Sequence, residues 1–355
     1  MNLTDQPTAI RAGEELDEPV IEAFLRDSIP RLRGKMHLLQ FPGGNSNLTY
    51  CASFDNRELV LRRPPFGRKA RTAHDMGREY RILSAIHGVF PYAPQPLCYT
   101  EDESIIGCPF YVMERIQGII LRTQVPPGIM ESPRQVRAMF ERFLEVMTEL
   151  HALDYKAVGL ENLGKPQGYV KRQVKGWNQR YRAARTPDAP DCEDIMAWLE
   201  EKMPPDTERP AIIHNDFKFD NMVLDKDDPM KIIGVLDWEM STLGDPIMDL
   251  GCTLGYWVQK DDAPEARARA AMPTYFDGAP TRNELVQLYA DLTGLKMENF
   301  DFYHCFGLFR LAGIAQQIYY RYYHGQTKDK RFKTMILGVA ALDQAARGVI
   351  DQSDI

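Results

Sequence analysis

One stretch near the middle of the chain decides the fold that we expect. Residues 212–239 read IIHNDFKFDNMVLDKDDPMKIIGVLDWE. Its two apolar runs, Met222–Leu224 and Lys231–Leu236, are separated by a polar turn, and this pattern predicts a β-hairpin. A hairpin brings the residue before its first strand, Asn221, next to the residue after its second strand, Asp237. Amide and carboxylate oxygens suit Mg²⁺ as ligands, so this pair is a candidate metal site.

A third polar residue precedes the hairpin at a spacing that is typical of catalytic loops. Asp216 lies five residues before Asn221, in a loop that enters the same corner, where its carboxylate can act as a base. The spacing His214-x-Asp216-x4-Asn221, followed by Asp237 at a strand end, matches the catalytic loop and metal-binding aspartate of kinases. A single aspartate beside a strand is often only a turn residue, but three polar groups at this spacing favour a catalytic site.

The chain on either side of this stretch differs in character. The first part predicts an amphipathic helix and an antiparallel meander of short strands, followed by a second helix and a further strand. The predicted elements are Glu18–Ser28, Leu38–Phe41, Leu48–Phe54, Glu58–Leu61, the helix Thr72–His87 and the strand Phe110–Met113. Beyond residue 117 the pattern is mainly helical, although residues 160–210 read as polar and irregular, with helical patches around Trp177–Arg185 and Glu193–Lys202. We therefore predict a β-rich lobe over residues 1–115 and a helical lobe over residues 116–355, with a cleft between them.

Composition limits the classes of function. The 355 residues carry 43 Lys and Arg against 50 Asp and Glu, and this net charge of -7 argues against a nucleic-acid partner. No apolar stretch approaches the roughly 20 residues of a membrane span. The N-terminus lacks a basic and apolar leader, so we expect a cytoplasmic protein. The six cysteines form no C-x-x-C pair and are expected to be reduced thiols rather than zinc ligands or disulfides.

Four segments together resemble the aminoglycoside phosphotransferase and choline kinase family, a branch of the protein-kinase-like fold. They are GGNSN at 43–47, LVLRRPP at 59–65, HNDFK at 214–218 and LDWE at 236–239. The chain most resembles the kinase domain that precedes the dehydrogenase in acyl-CoA dehydrogenase family members 10 and 11, and free-standing bacterial relatives of that domain. The resemblance runs from about residue 36 and implies a bilobal α+β fold. Its small N-terminal lobe would be an antiparallel sheet with one helix, and its larger C-terminal lobe mainly helical. We expect no dehydrogenase in this chain.

The resemblance implies roles for the residues of the central stretch. Asp216 resembles the base that orients and deprotonates the acceptor hydroxyl, and Asn221 and Asp237 resemble the Mg²⁺ ligands that bridge the phosphates of ATP. Lys218 lies where some kinases place a lysine against the transferred phosphate. The alternative is that Lys218 is a solvated surface residue with no role in transfer. His214 is expected to be a structural residue.

Two further segments are expected to contact the nucleotide. Gly43, Gly44, Asn45, Ser46 and Asn47 lie between two predicted strands, where glycines let the backbone approach phosphates closely. The segment YVMERIQG at 111–118 resembles the hinge between kinase lobes. Met113 would border the adenine there, and backbone groups of Glu114 and Ile116 would bind its edge.

One position departs from the kinase pattern. Kinases carry a lysine on the third strand, whereas this chain has Arg62 and Arg63 on opposite strand faces. The match places Arg62 in the role of the lysine, with Arg63 as the alternative. Glu79 lies on the apolar face of its predicted helix, and a buried carboxylate needs a cation, for which Arg62 is the candidate.

The sequence predicts a small-molecule kinase that uses ATP and Mg²⁺. The segment 165–185 contains seven basic residues and no Asp or Glu, which favours an anionic acceptor such as a carboxylate or a hydroxyacyl-CoA. Trp177, Arg180 and Arg310 are among the candidates to line its site, although aromatic stripes are more often core. An aminoglycoside- or choline-type kinase and a silent nucleotide-binding regulatory module remain alternatives. The acceptor, the oligomeric state and the choice between Mg²⁺ and Mn²⁺ stay open.

Overall fold

The described part of the chain forms two compact units. The computed structural model describes residues 6–42, 47–66, 75–122, 125–267, 270, 272–327 and 329–355. The first unit comprises the chain up to Ile120, residues 157–160 and Asn221–Ser241, and the second comprises Leu121–Lys156, Glu161–Asp220 and Thr242–Ile355. This grouping differs from a single division after residue 115, because residues 221–241 pack with the N-terminal part.

The first unit is built on a five-stranded antiparallel sheet. Its strands are β1 (His37–Gln40), β2 (Leu48–Phe54), β3 (Arg57–Arg63), β4 (Pro96–Thr100) and β5 (Phe110–Glu114). Their order in the sheet is β1-β2-β3-β5-β4, and every neighbouring pair is antiparallel. The predicted meander is confirmed. Sequence analysis missed β4, which begins with a proline and lies at an edge of the sheet, where proline is tolerated.

Three helices accompany this sheet. They are α1 (Glu18–Ser28), α2 (Met76–Ile86) and the short α3 (Glu103–Ile106). The predicted bounds of α1 are confirmed, and its Ile21 and Leu25 are buried in the apolar core that the sheet shares. Helix α2 begins at Met76 because Asp75 is its extended N-cap, whose side chain accepts a hydrogen bond from the backbone of Arg78. The predicted start at Thr72 lies outside the described residues.

The predicted hairpin is present in the first unit. Its strands are β7 (Met222–Leu224) and β8 (Ile232–Val235), paired antiparallel, and the backbone N–H of Leu236 donates to the carbonyl of Asn221 at 2.7 Å. The segment after β5 is bound to this hairpin by two backbone hydrogen bonds between Ile119 and Leu224, of 2.9 and 2.8 Å. A Cβ atom at Gly118 would lie 2.2 Å from the carbonyl oxygen of Leu224, so only glycine fits there.

The second unit is mainly helical. Its helices are α4 (Pro133–His151), α5 (Tyr169–Ala184), α6 (Glu193–Glu201), α7 (Pro246–Leu254), α8 (Pro264–Arg267), α9 (Arg282–Thr293), α10 (Phe300–Tyr323) and α11 (Met335–Gln352), and its two strands, β6 (Ala211–Ile213) and β9 (Thr242–Gly244), pair antiparallel. The helical patches predicted around Trp177–Arg185 and Glu193–Lys202 correspond to the second half of α5 and to α6, but α5 begins earlier and spans 16 residues. Helix α5 follows Gly168, which offers no side-chain cap, so the sequence lacks the usual signal for a helix start.

The α+β class predicted from the sequence is confirmed. The core of the second unit is formed by α5, α6, α7, α10 and α11, with Trp177, Tyr181, Phe306 and Phe309 among its buried side chains. None of the helices in the described ranges combines the length and the apolar character that a membrane span requires.

Candidate active site

The loop that follows β6 is fixed by a buried aspartate on α7. The two carboxylate oxygens of Asp249 accept the backbone N–H groups of His214, at 2.8 Å, and Asn215, at 2.7 Å. The ring of His151 lies 3.1 Å from the same carboxylate. Burial raises the pKa of Asp249, but His151 outweighs this effect and leaves the pKa below the ordinary aspartate value. Asp249 therefore serves as an ionised anchor for the backbone of the loop.

Asn215 adopts a backbone conformation that is uncommon for residues other than glycine. Its φ is 63°, in the left-handed region that asparagine tolerates better than most residues. The buried Arg310 of α10 donates to its carbonyl oxygen at 2.7 Å, and the hydroxyl of Tyr169 of α5 donates to its side-chain oxygen at 3.2 Å. Side chains from α5, α7 and α10 thus determine the path of the loop.

Asp216 is the acidic side chain at the centre of this loop. The hydroxyl of Tyr256 donates to its Oδ1 at 3.0 Å, and the ammonium of Lys218 lies 3.2 Å from its Oδ2. Burial raises the pKa of Asp216, but Lys218 and Arg310 together outweigh it, so that its pKa lies below the ordinary value. Burial and Asp216 both raise the pKa of Tyr256, which therefore remains a proton donor. Lys218 also lies 3.6 Å from Asp220.

His214 occupies the position expected for it as a structural residue. It is fully buried, its ring packs edge-on against Phe217, and its Nδ1 accepts the backbone N–H of Asp216 at 3.3 Å. Through these contacts His214 stabilises the conformation of the loop.

A second cluster of charges lies in the first unit, around Arg62. One nitrogen of its guanidinium lies 3.1 Å from Glu79 of α2, the pair that the helix pattern predicted, and the other donates to Asp237 at 2.8 Å. Glu239 is 3.9 Å away. Arg63 is directed elsewhere, with its guanidinium over the ring of Phe66 at 3.8 Å. Of the two arginines, Arg62 is the one that meets Glu79.

The Arg62 cluster carries an excess of negative charge among the described residues. Three carboxylates, of Glu79, Asp237 and Glu239, face one guanidinium. Burial holds the pKa of Glu79 above the ordinary glutamate value, although Arg62 opposes this. Asp237 and Glu239 therefore carry most of the excess. The side chain of Asp237 is 34% exposed whereas that of Glu79 is 1% exposed, so Asp237 is the more accessible of these two carboxylates. These three carboxylates do not form a group that could hold a metal ion by themselves among the described residues. The accessible Asp237 offers oxygen ligands of the kind that a hard divalent cation prefers.

The glycine-rich segment is described only at its last residue. Gly43, Gly44, Asn45 and Ser46 lie outside the described residues. The side-chain amide of Asn47 is buried and donates to Glu239 at 2.7 Å. The end of this segment is therefore bound to the residue two positions after Asp237.

The three residues predicted to contact the adenine lie at the end of β5 and two residues beyond it. Met113 pairs with Val60 of β3 and is buried. The N–H of Glu114 donates to the carbonyl of Gln95 at 2.9 Å. Among the described residues, no acceptor binds the N–H of Ile116.

Within each unit, the structure brings together several residues that the sequence singled out. It joins Asp216 to Lys218 in the second unit, and Arg62 to Glu79 and Asp237 in the first. It also adds contacts that sequence analysis missed. Tyr256 lies 40 residues after Asp216 and Asp249 lies 34 residues after Asn215, and neither belongs to a motif that predicts its contact with the loop.

Comparisons with known proteins identify the class. A profile of the phosphotransferase enzyme family matches residues 37–284, which is more than half of the chain. The chain belongs to this family. In the mouse, acyl-CoA dehydrogenase family member 10 is 34% identical over 322 residues, and the match takes in 90% of this chain but only 30% of the mouse protein. The chain thus spans less than half the length of that relative.

Solved structures agree on the fold. A Ralstonia eutropha JMP134 protein solved as a candidate aminoglycoside phosphotransferase superposes with a TM-score of 0.81 at 28% identity, covering 96% of this chain and all of the other. Choline kinase from Cryptosporidium parvum superposes with a TM-score of 0.62 at 13% identity, covering 95% of this chain and 97% of the other. The predicted protein-kinase-like fold is confirmed. Some other proteins of this fold were solved with GDP or AMP-PNP bound.

Proposed function

We propose that this chain is an ATP- and Mg²⁺-dependent kinase that phosphorylates the hydroxyl group of a small anionic molecule, such as a hydroxyacyl-CoA. The observation that carries the proposal is the surroundings of Asp216. An ionised carboxylate next to a lysine and a tyrosine hydroxyl, on a loop fixed through its backbone, matches what phosphoryl transfer requires. That reaction depends mainly on positioning and electrostatics.

In the proposed reaction Asp216 accepts a hydrogen bond from the acceptor hydroxyl and orients its oxygen toward the terminal phosphate of ATP. A bond forms between that oxygen and the γ-phosphorus, the bond to the bridging oxygen of ADP breaks, and the hydroxyl proton passes to Asp216. The lowered pKa of Asp216 suits a residue that orients the hydroxyl and takes its proton late. Lys218 contributes positive charge next to the transferred group.

Residues of the first unit are proposed to hold the nucleotide. Arg62, positioned by Glu79, binds the phosphates, together with the glycine-rich segment that ends at Asn47. Met113 borders the adenine, and the carbonyl of Glu114 and the N–H of Ile116 bind its edge.

The same unit supplies the proposed metal ligands. Asn221 and Asp237 would hold Mg²⁺, which neutralises charge on the phosphates when bound. The excess of carboxylates around Arg62 supports this assignment. The residues of this chain keep those carboxylates in place: Arg62 holds Asp237, and Asn47 holds Glu239.

The anionic acceptor is proposed from the surface charge of α5. This helix carries Lys171, Lys175 and Arg180, for which the described residues supply no carboxylate partner, whereas Arg182 pairs with Glu193. The name of the relatives, acyl-CoA dehydrogenase family, suggests an acyl-CoA context for the acceptor. A polycationic acceptor would be repelled by this surface.

The proposal is tested by following phosphorus NMR signals of the protein with Mg·ATP and a panel of acceptors. The panel contains 3-hydroxybutyryl-CoA, 3-hydroxybutyrate, choline and kanamycin. We expect a new phosphate-ester signal, with stoichiometric ADP, for an anionic acceptor. An ester formed only with choline or kanamycin would establish the alternative acceptor class. Binding of Mg·ATP with no ester from any acceptor would instead favour the silent regulatory module.

A further inference from the structure

Two arginines lie against one buried tryptophan of the second unit. The guanidinium of Arg180, on α5, lies 4.8 Å from the ring centre of Trp177, and that of Arg310, on α10, lies 5.4 Å from the same centre. Gly313 makes this packing possible, because a Cβ atom there would lie 3.1 Å from the indole. Gly176 lets the side chain of Arg180 fold back along its own helix, with one guanidinium nitrogen 3.1 Å from where a Cβ would lie.

The two arginines differ in their exposure and in their hydrogen-bond and ion-pair partners. Arg310 is 3% exposed and donates to the carbonyl of Asn215. Arg180 is exposed, and within the described residues it has no ion pair and no hydrogen bond. Partial burial lowers the pKa of Arg180, and so does the positive charge of Arg310. A like charge nearby and the lack of a counterion make this a place where an anion is stabilising.

The same pair is linked to the loop that carries Asp216. Arg310 binds the residue immediately before Asp216, and its positive charge contributes to the low pKa of that carboxylate. An anion held by Arg180 over Trp177 would therefore lie near the guanidinium that contacts the residue before Asp216. The cation–π contacts with Trp177 help to fix the positions of both guanidiniums.

We propose that Arg180 and Arg310, arranged over Trp177, form an oxyanion-binding subsite for the acceptor. The inference rests on the proposed function, since it names the group by which the acceptor is recognised. The oxyanion is a carboxylate of a hydroxy acid or a phosphate of a coenzyme A ester, and a guanidinium binds either through paired hydrogen bonds. Arg180 is then a specificity residue that selects anionic acceptors and rejects cationic ones.

The experiment is a calorimetric titration of the full chain saturated with Mg·AMP-PNP, which keeps anions out of the nucleotide site. The probes are 3-hydroxybutyrate, 3-hydroxybutyryl-CoA, free coenzyme A and inorganic phosphate. Wild type is compared with Arg180→Gln, with Arg180→Lys, which keeps the charge, and with Lys296→Gln. Lys296 is an exposed residue of the same unit, outside the basic segment 165–185, and controls for loss of one positive charge. Thermal unfolding of each variant checks that it is folded.

We expect Arg180→Gln to weaken binding of an oxyanion at least tenfold, Arg180→Lys to retain part of the affinity, and Lys296→Gln to bind as wild type. A loss confined to the coenzyme A probes assigns the oxyanion to a phosphate, and a loss confined to 3-hydroxybutyrate assigns it to a carboxylate. Equal affinity of wild type and Arg180→Gln for every probe, or no binding of any probe to wild type, would overturn the subsite. Binding that depends on Arg180 without phosphate-ester formation would leave the subsite standing while the proposed kinase activity fails.

Discussion

The Arg62 cluster of the first unit and the Asp216 cluster of the second unit differ in their balance of charge. Around Arg62, three carboxylates face one guanidinium. Around Asp216, the carboxylates of Asp216 and Asp220 are offset by Lys218 and by the field of Arg310. The first cluster therefore lacks positive charge within the described residues, whereas the second is close to neutral.

This difference separates two chemical tasks. A cluster with surplus carboxylates is suited to take up a cation, and a balanced cluster that keeps one aspartate ionised is suited to position a hydroxyl group. Substitutions in the Arg62 cluster should therefore alter metal and nucleotide binding. Substitutions in the Asp216 cluster should alter transfer and leave nucleotide binding intact.

The largest effect is expected for Asp237→Asn. Removing the more accessible carboxylate of the Arg62 cluster takes away the charge that attracts Mg²⁺, so phosphoryl transfer should be abolished. Initial rates of ester formation at saturating ATP check this. Asp227→Asn, the same substitution at an exposed turn residue of the same hairpin, should transfer as wild type. Full activity of Asp237→Asn at ordinary Mg²⁺ would remove Asp237 from the metal site.

Asp216→Asn should reduce transfer by at least ~10²-fold, the scale for losing a positioned proton acceptor. The amide keeps the size of the side chain, so the loop should retain its shape. Tyr256→Phe removes the hydroxyl that donates to Asp216 and should cost only about tenfold, as for one hydrogen bond to a charged group. Single-turnover rates measure both losses. Near-normal transfer by Asp216→Asn would exclude Asp216 as the base.

Arg62 and Glu79 should show coupled effects in a charge-reversal experiment. Arg62→Glu and Glu79→Arg should each weaken nucleotide binding, because each leaves a buried charge without its partner, and the double variant should recover part of the affinity. Arg63→Ala is the matched control, since Arg63 contacts Phe66 and not this cluster. Nucleotide binding that depends on Arg63 and not on Arg62 would show that the roles are reversed.

The smallest effect is a shift in the pH profile. Lys218 helps to hold the pKa of Asp216 below its ordinary value, so the wild-type rate should fall only at pH values below the ordinary aspartate pKa. Lys218→Met removes that charge while burial remains, so the acid limb of kcat/KM should move to higher pH. Circular dichroism at each pH shows that the protein stays folded. An acid limb at the same pH in wild type and in Lys218→Met would show that Lys218 does not lower the pKa of Asp216.

The sequence predicted the elements whose patterns are local. The strand Leu48–Phe54 and the helix Glu18–Ser28 have the predicted bounds because alternation and helical spacing are properties of neighbouring residues. The hairpin from Met222 to Val235 followed from two apolar runs and a polar turn. Strand β4, with its initial proline, carries no such signal, and neither does the first half of helix α5, which lacks a capping side chain.

Within the site, motif spacing predicted candidate residues but not all of their contacts. The pairing of Arg62 with Glu79 could be anticipated because a carboxylate on an apolar helix face needs a cation. The hydrogen bonds from Tyr256 to Asp216 and from Asn47 to Glu239 could not be anticipated. These pairs are 40 and 192 residues apart in sequence and are brought together only by tertiary packing. The proposed roles of Asp216, Asn221 and Asp237 rest on the resemblance together with this geometry.

The most direct test of the two-cluster account is the Mg²⁺ dependence of AMP-PNP affinity, measured by calorimetry for wild type, Asp216→Asn and Asp237→Asn. The account predicts that Mg²⁺ tightens AMP-PNP binding equally in wild type and in Asp216→Asn, and that this tightening is lost in Asp237→Asn. Mg²⁺-dependent affinity that persists in Asp237→Asn, or disappears in Asp216→Asn, would contradict the assignment of metal binding to one cluster and hydroxyl positioning to the other.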